Sequence, residues 1–192
     1  MKLTKQMLVF KPVTMDEWQN LQKLFGPNGA DGGCWCMWWR IKRSEFDRNR
    51  GEANRRALEG IIRSGEVPGL LAYLEDEPIG WCSVAPREAF PVLDRSPVLK
   101  RVDDQPVWSI VCFYIARQYR GCGLEGLLIE AAVGYARSQG ARIVEAYPVV
   151  SGTGRFDPGS AFTGTIGTFR RLGFEEVARR SKRRAIVRFR SW

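Results

Sequence analysis

The sequence predicts an α/β (α+β) protein, in which strands and helices alternate along the chain and a sheet is flanked by helices. Three observations carry that prediction. Val107 to Gln139 reads as a buried strand, a glycine-bearing turn and a long amphipathic helix. Gly69 to Val84 reads as a β-hairpin, two apolar runs around the polar connection Glu75 to Pro78. From Phe174 onward the chain reads as a pair of terminal strands.

Length and composition set the frame. The 192 residues, 44% of them hydrophobic, suit one domain spanning 1–192 with a sizeable core. The start, MKLTKQMLVFKP, has only a four-residue apolar run, and no stretch approaches the roughly 20 apolar residues of a membrane span. A soluble cytoplasmic protein with no membrane association is expected. Cys34, Cys36, Cys82, Cys112 and Cys122 are odd in number and lack a disulfide-framework spacing, which favours reduced thiols. The chain has no histidine, which removes Ser-His-Asp and Cys-His catalysis and zinc sites with histidine ligands. No metal site is expected: Cys34 and Cys36 are separated by one residue and have no partner pair.

Taken in order, Leu8 to Val13 reads as a first strand. Thr14 and Glu17 form a capping box that opens a helix with Trp18, Leu21 and Phe25 on its buried stripe, and Gly26-Pro27 ends it. A glycine-rich loop leads to Cys34-Trp-Cys-Met-Trp-Trp-Arg40. Trp35, Trp38 and Trp39 are candidates for the wall of a substrate pocket, since indoles offer rigid apolar surface and attract cations. Packing into the core or a dimer contact would account for them equally well. Ser44 and Asp47 start another helix reaching Ser64, with Ala57, Leu58, Ile61 and Ile62 inward; Gly51 inside it marks a point where it could break. After the hairpin, residues 86–106 carry four prolines and read as a surface excursion with a short helix near Arg87 to Leu93.

The organising segment follows. Ile110 to Ile115 is an unbroken apolar strand. Leu124, Leu127, Leu128, Ala131 and Tyr135 form one helical stripe, and Gly140 stops it. Between them, Arg120-Gly121-Cys122-Gly123 sits where the helix begins. Free N–H groups and a partial positive charge suit an anion there, and glycines let a phosphate approach the backbone. A simple change of direction would also use two glycines. Ile143 to Tyr147 is a strand with Glu145 and Tyr147 on the Ile143 face. Val149 to Ser160 is a glycine-rich loop, Thr163 to Leu172 a short helix, and residues 169–192 hold nine Lys/Arg against two Glu. Within them Arg184, Ile186, Arg188 and Arg190 alternate with Ala185, Val187 and Phe189 as one mostly basic strand face. It reads first as a solvated face; nucleic acid is the less expected partner.

Tyr114 to Ile129, YIARQYRGCGLEGLLI, resembles the pyrophosphate-binding motif of the GNAT superfamily of acetyl-coenzyme A-dependent N-acetyltransferases. Gln118-Tyr-Arg-Gly121-Cys-Gly123 matches the pattern Gln/Arg-x-x-Gly-x-Gly/Ala, and Leu128-Ile129 matches its apolar pair. Glu125 stands where many members have a small residue. The hairpin and the ending Arg170-Arg-Leu-Gly-Phe174 are also similar to the family's. The resemblance implies a mixed, mostly antiparallel central sheet, with the cofactor turn between a central strand and the helix after it. It implies acetyl-coenzyme A as co-substrate: main-chain N–H groups of Phe113, Tyr114 and Ile115 along the pantetheine arm, and Gln118, Arg120, Gly121, Cys122, Gly123, Leu124 and Glu125 around the pyrophosphate.

The implied reaction is direct attack of a neutral amine, from a small molecule or a peptide, on the acetyl thioester. The family's Asn and Tyr slots on the last helix hold Phe162 and Phe169 here, and neither can donate a proton. Tyr147 is the substitute candidate for the acid and Glu145 for the base, with pairing to an arginine an equal account of Glu145. A coenzyme A-binding or interaction module without catalysis is the alternative. A homodimer is compatible with the fold.

Overall fold

The computed structural model describes residues 2–150 and 162–190. Seven strands form one sheet: β1 (Leu8–Pro12), β2 (Gly69–Leu74), β3 (Glu77–Pro86), β4 (Trp108–Ile115), β5 (Ile143–Ala146), β6 (Glu175–Ala178) and β7 (Ile186–Arg190). Their order is β1-β2-β3-β4-β5-β7-β6. Every neighbouring pair is antiparallel except β4 and β5. That exception follows from connectivity: α5 (Leu124–Ser138) is the crossover between them, and a crossover returns the chain in the same direction. The β2–β3 turn is shorter than expected. Glu75 and Asp76 alone make it, with Glu75 in the left-handed region at φ 54°, while Glu77 and Pro78 belong to β3.

Strand alternation sends residues to two faces. On one, Leu70, Ala72, Cys82 and Val84 pack under Leu124, Leu128, Ile129, Ala132 and Ala136 of α5. The buried stripe of α5 is turned from the expected one: Leu127, Ala131 and Tyr135 sit at its margin, half-buried. On the other, Leu71, Tyr73 and Trp81 meet α1 (Trp18–Phe25), α2 (Arg43–Arg48) and α3 (Glu52–Arg63).

Local chemistry alters several expectations. Thr14 makes no side-chain cap, and a 3-10 turn over Met15–Glu17 precedes α1. Glu17 instead takes bonds from Asn20 (3.0 Å) and the Tyr73 hydroxyl and pairs with Lys11 at 3.2 Å, tying α1 to the sheet. The helix expected over 44–64 breaks at Gly51 (φ 85°), whose N–H donates to the Gly33 carbonyl at 2.9 Å. The two chains run so close that a Cβ on Gly33 would lie 2.4 Å from the Gly51 nitrogen.

The excursion is not a surface feature. It holds a 3-10 turn (Arg87–Ala89) and α4 (Pro91–Arg95), and it buries Arg87, Phe90, Leu93 and Leu99 beside Trp39, Val111, Tyr147 and Ile186. The short last helix is α6 (Ile166–Arg171). Residues 151–160 of the expected loop lie outside the described residues. Among the described residues no helix is long and apolar enough to cross a membrane.

Candidate active site

The turn before α5 has the shape its glycines allow. Gly121 (φ 73°) and Gly123 (φ 85°) are both left-handed, and a Cβ on either would meet nothing within 4 Å. Leu3 N–H ties down the Cys122 carbonyl at 3.0 Å, and the Arg120 guanidinium donates to the Ile115 carbonyl at 3.0 Å. The turn opens onto a cavity of about 560 Å³ shared by Gly121, Gly123, Leu124, Glu125 and Gly126 with Ile115, Thr168 and Leu172. Lys2, Arg120 and Arg171 bring positive charge to it. Lys2, Thr168 and Arg171 were not legible as site residues, because only the tertiary fold brings Lys2-Leu3 and α6 beside this turn. Gln118 lies in the 3-10 turn Arg117–Tyr119 just before it. Glu125 Oε1 accepts the Thr165 N–H at 3.2 Å, so this carboxylate is engaged by the chain entering α6.

The two parallel strands part beside this turn. Their pairing ends at Ile110–Ala146, while β4 runs on to Ile115. A bulge between Ser83 and Val84 of β3 leaves Val111 as the extra residue on β4. At the far end of that ladder Ala116 N–H bonds the Ile79 carbonyl at 3.0 Å. Counting back along the register, Tyr114 and Cys112 direct their main chain to β3, whereas Phe113 and Ile115 direct theirs to the open side. Of the three expected main-chain contacts, Phe113 and Ile115 therefore have groups facing the gap, and Tyr114 is committed to the sheet. The Val111 carbonyl at the mouth of the gap takes the Trp39 indole N–H at 3.0 Å.

A second cavity, about 230 Å³, adjoins the same strand. Trp38 and Trp39 line it with Phe25, Phe46, Trp81 and Phe162, and with Phe113 and Tyr114 from β4. Trp35 does not. It is packed against Trp18 and Phe25 at 6.0 and 5.6 Å between ring centroids, so the core account holds for it. Phe25 and Trp81 read as core from periodicity and do serve as core; their cavity edges appear only when α1 is laid on the sheet. Asp31 and Arg50 also line this cavity, as do Cys34, Cys36 and Cys112.

Glu145 and Tyr147 come together, but in a sealed place. Their relative exposures are 1% and 0%. Glu145 accepts from Arg87 at 2.8 Å, from Arg188 at 2.7 Å and from the Tyr147 hydroxyl at 2.7 Å. Tyr147 also takes a bond from Arg87 and shares one with Ser109. Burial, then the Glu145 charge, push the Tyr147 hydroxyl well above its ordinary range. Neither residue lines either cavity described above. Pairing with arginines is what Glu145 does, and the acid and base roles expected of this pair have no access to a substrate.

The same cluster changes the reading of the last strand. Arg188 points inward to Glu145 and Asp103, and Ile186 is buried, so this face is not a solvated basic stripe. Phe169, on α6, is buried against Phe113 and Phe174, while Phe162, expected on the same helix, lies before α6 begins and leans on Trp39; both are apolar walls. Among the described residues no three His, Cys, Asp or Glu side chains are grouped to hold a metal ion.

A glycine turn at a helix start, beside a strand that parts from its parallel neighbour, makes an α+β fold with main-chain N–H groups open to an anionic ligand that carries an extended arm. The acetyltransferase (GNAT) family model matches residues 35–155, and the chain belongs to that family. An acetyltransferase of the family from Listeria monocytogenes superposes with a TM-score of 0.62 at 10% identity, covering 100% of both chains. One from Streptococcus agalactiae gives 0.59 at 12% identity, covering 100% of this chain and 99% of the other. The PaiA N-acetyltransferase of Thermoplasma acidophilum, solved with coenzyme A, gives 0.54 at 11% identity over 96% and 99%. At these identities the likeness is one of fold. No curated protein sequence matches the chain.

Proposed function

We propose that the protein is an N-acetyltransferase that moves the acetyl group of acetyl-coenzyme A onto a primary amine by direct attack. The observation that carries this reading is the open Gly121–Gly123 turn beside the unpaired edge of β4. Main-chain N–H groups from Arg120 to Glu125 would hold the pyrophosphate, with Arg120 and Arg171 nearby to balance its charge. The N–H groups of Phe113 and Ile115 would hold the pantetheine arm and polarise the thioester carbonyl, which is where negative charge develops. The acceptor would enter the aromatic cavity beside Phe113, with Trp38 and Trp39 as walls. Membership of the family and the coenzyme A complex of a neighbour support the reading.

Calorimetric titration with acetyl-coenzyme A tests it, alongside a Gly121→Glu, Gly123→Glu double variant. Micromolar binding that is lost in a folded double variant is expected. Thiol release with a panel of amines then identifies the acceptor. No binding by the wild type overturns the reading.

A second reading is a coenzyme A-binding module without turnover. The phenylalanines in both helix slots and the sealing of Glu145 and Tyr147 favour it. Binding without thiol release across the panel would select it.

A further inference from the structure

An ammonium group must lose a proton before its nitrogen can attack a thioester, and the departing thiolate must gain one. The chain has no histidine, Glu145 and Tyr147 are sealed, and the helix slots hold Phe162 and Phe169. What the aromatic cavity does contain is sulfur. Cys34 and Cys36 reach it from the tryptophan segment and Cys112 from β4. Cys112 directly precedes Phe113, so the thiols share a wall with the edge along which the thioester would lie. Among the described residues they are not grouped with further ligands as a metal site.

The Cys36 sulfur is buried and accepts a hydrogen bond. The Trp81 indole N–H donates to its Sγ at 3.3 Å. Arg40 is nine-tenths buried, its Nε has no partner among the described residues, and its other contacts are a 3.5 Å bond to the Pro68 carbonyl and the face of Phe90. Burial pulls that guanidinium down from its ordinary value, and the negative groups that act on it are Cys36 and Glu66. Backbone geometry agrees. Trp35 (φ 44°) and Cys36 (φ 57°) are consecutive left-handed residues without being glycines. Such strain costs on the order of 1–3 kcal/mol per residue and persists where the surroundings over-determine it. Cys112, beside it in the cavity, brings the Cys36 thiol down to about 7 against burial, with Trp81 and Arg40 helping; the Cys112 thiol lies 3.9 Å from the Phe113 carbonyl. The neighbouring Cys36 sulfur, then burial, hold Cys112 well above its ordinary range, and burial lifts Cys34 to about 11.

We propose that Cys36 and Cys112 are the proton-handling pair of the transfer. The Cys36 thiolate takes a proton from the acceptor ammonium, and the Cys112 thiol gives its proton to the departing coenzyme A thiolate. The C–N bond forms as the C–S bond of the thioester breaks. The second amine proton refills Cys112, and Cys36 releases its own to solvent, so one proton leaves per turnover. This rests on the acetyl-transfer reading above. The ionisable groups around Cys36 are Cys34 on its own loop, Cys82 on β3, Cys112 on β4 and Arg40, with Glu66 acting on Arg40. Asp31 and Arg50 lie further round the cavity.

The test uses Cys36→Asn and Cys36→Asp, because Asn and Asp tolerate a left-handed backbone. Thiolate ultraviolet absorbance of the wild type should show a one-thiol step near pH 7, absent from both variants. Absence of any wild-type step below about pH 8.5, the ordinary thiol value, overturns the proposal and needs no variant to fold. With the best amine of the panel, Cys36→Asn should lower kcat about 100-fold or more at unchanged coenzyme A affinity. Cys36→Asp should recover about tenfold of that loss, with the acid limb of its pH profile moved downward. Full activity in a folded Cys36→Asn also overturns it. If the wild type neither binds acetyl-coenzyme A nor acetylates any amine, the acetyl-transfer reading itself has failed. Normal turnover without a thiolate step removes only the thiol pair.

Discussion

Glu125 Oε1 accepts the main-chain N–H of Thr165, so an acid in the first turn of α5 is held by the segment entering α6. Gly164 (φ 78°) permits this approach: a Cβ there would lie 3.0 Å from the same oxygen. A carboxylate that has a donor of its own need not oppose a pyrophosphate on the adjacent turn. Replacing Glu125 by Ala should cost about 1 kcal/mol of stability, the worth of one hydrogen bond. Coenzyme A affinity should change by less than about threefold, under 1 kcal/mol. Urea melts and calorimetry read the two effects separately. A gain in affinity of more than tenfold would mean that the carboxylate does face the phosphate.

Glu145 joins Arg87 and Arg188 under the sheet, and removing its charge leaves two buried guanidinium groups short of a partner. Glu145→Gln is expected to destabilise by about 3 kcal/mol, the low end for a broken buried pair because Asp94 and Asp103 remain. Tyr147→Phe removes one hydroxyl from the same cluster and should cost about 1–3 kcal/mol. Neither change should move kcat more than about threefold at temperatures where the variant is folded. A loss of about 100-fold in a stable Tyr147→Phe would restore the tyrosine to the chemistry.

Much of this architecture was legible because single stretches carried it. The apolar run Ile110 to Ile115 gave β4, and the stripe from Leu124 gave α5, since burial on one side imposes a period that a sequence retains. Gly121 and Gly123 were legible because a left-handed turn has few other residues to use. The excursion was misread because its prolines and charges resemble a surface loop, while Arg87 finds its partners 7 and 58 residues away. The Glu145 cluster needed β5 and β7 to be paired before its arginine could be known. In the same way, Cys36 and Cys112 have α2, α3, β2 and β3 between them in sequence and share one cavity only after the tryptophan segment is laid on β4.

Acid should weaken the protein through Asp103. The Arg188 guanidinium, in a two-bond pairing, brings its carboxyl down to about 2 from 3.8. A group whose folded value is depressed stabilises fully above its unfolded value and loses that contribution as pH falls through the folded one. The window is therefore about pH 4 to 2. Asp103→Asn should flatten the stability curve there relative to the wild type. Glu52, also brought down to about 2 by Arg55 and Arg56, gives both proteins a shared background slope. Identical slopes in the two proteins would show that the pair contributes nothing to acid stability.

Gly80 on β3 sets how closely α5 seats on the sheet. A Cβ there would lie 2.9 Å from Leu124 Cδ2 and 3.2 Å from Leu128 Cδ1. Both leucines are fully buried, so neither has free space to yield into. Gly80→Ala should therefore lift the start of the helix at a cost of about 1–3 kcal/mol. Leu124 is the first residue of α5, directly after Gly123. A shift there re-aims the N–H groups of the turn, so coenzyme A affinity should fall as well, by about tenfold if the loss is near 1.4 kcal/mol. Leu124→Ala alone should cost about 2–5 kcal/mol as a cavity. Combined with Gly80→Ala, the new methyl occupies part of that space, and the two losses should sum to less than their total by about 0.5–3 kcal/mol. Strict additivity would show that the helix relaxes away from Gly80 without strain, and the turn would then keep its affinity in the single Gly80→Ala variant.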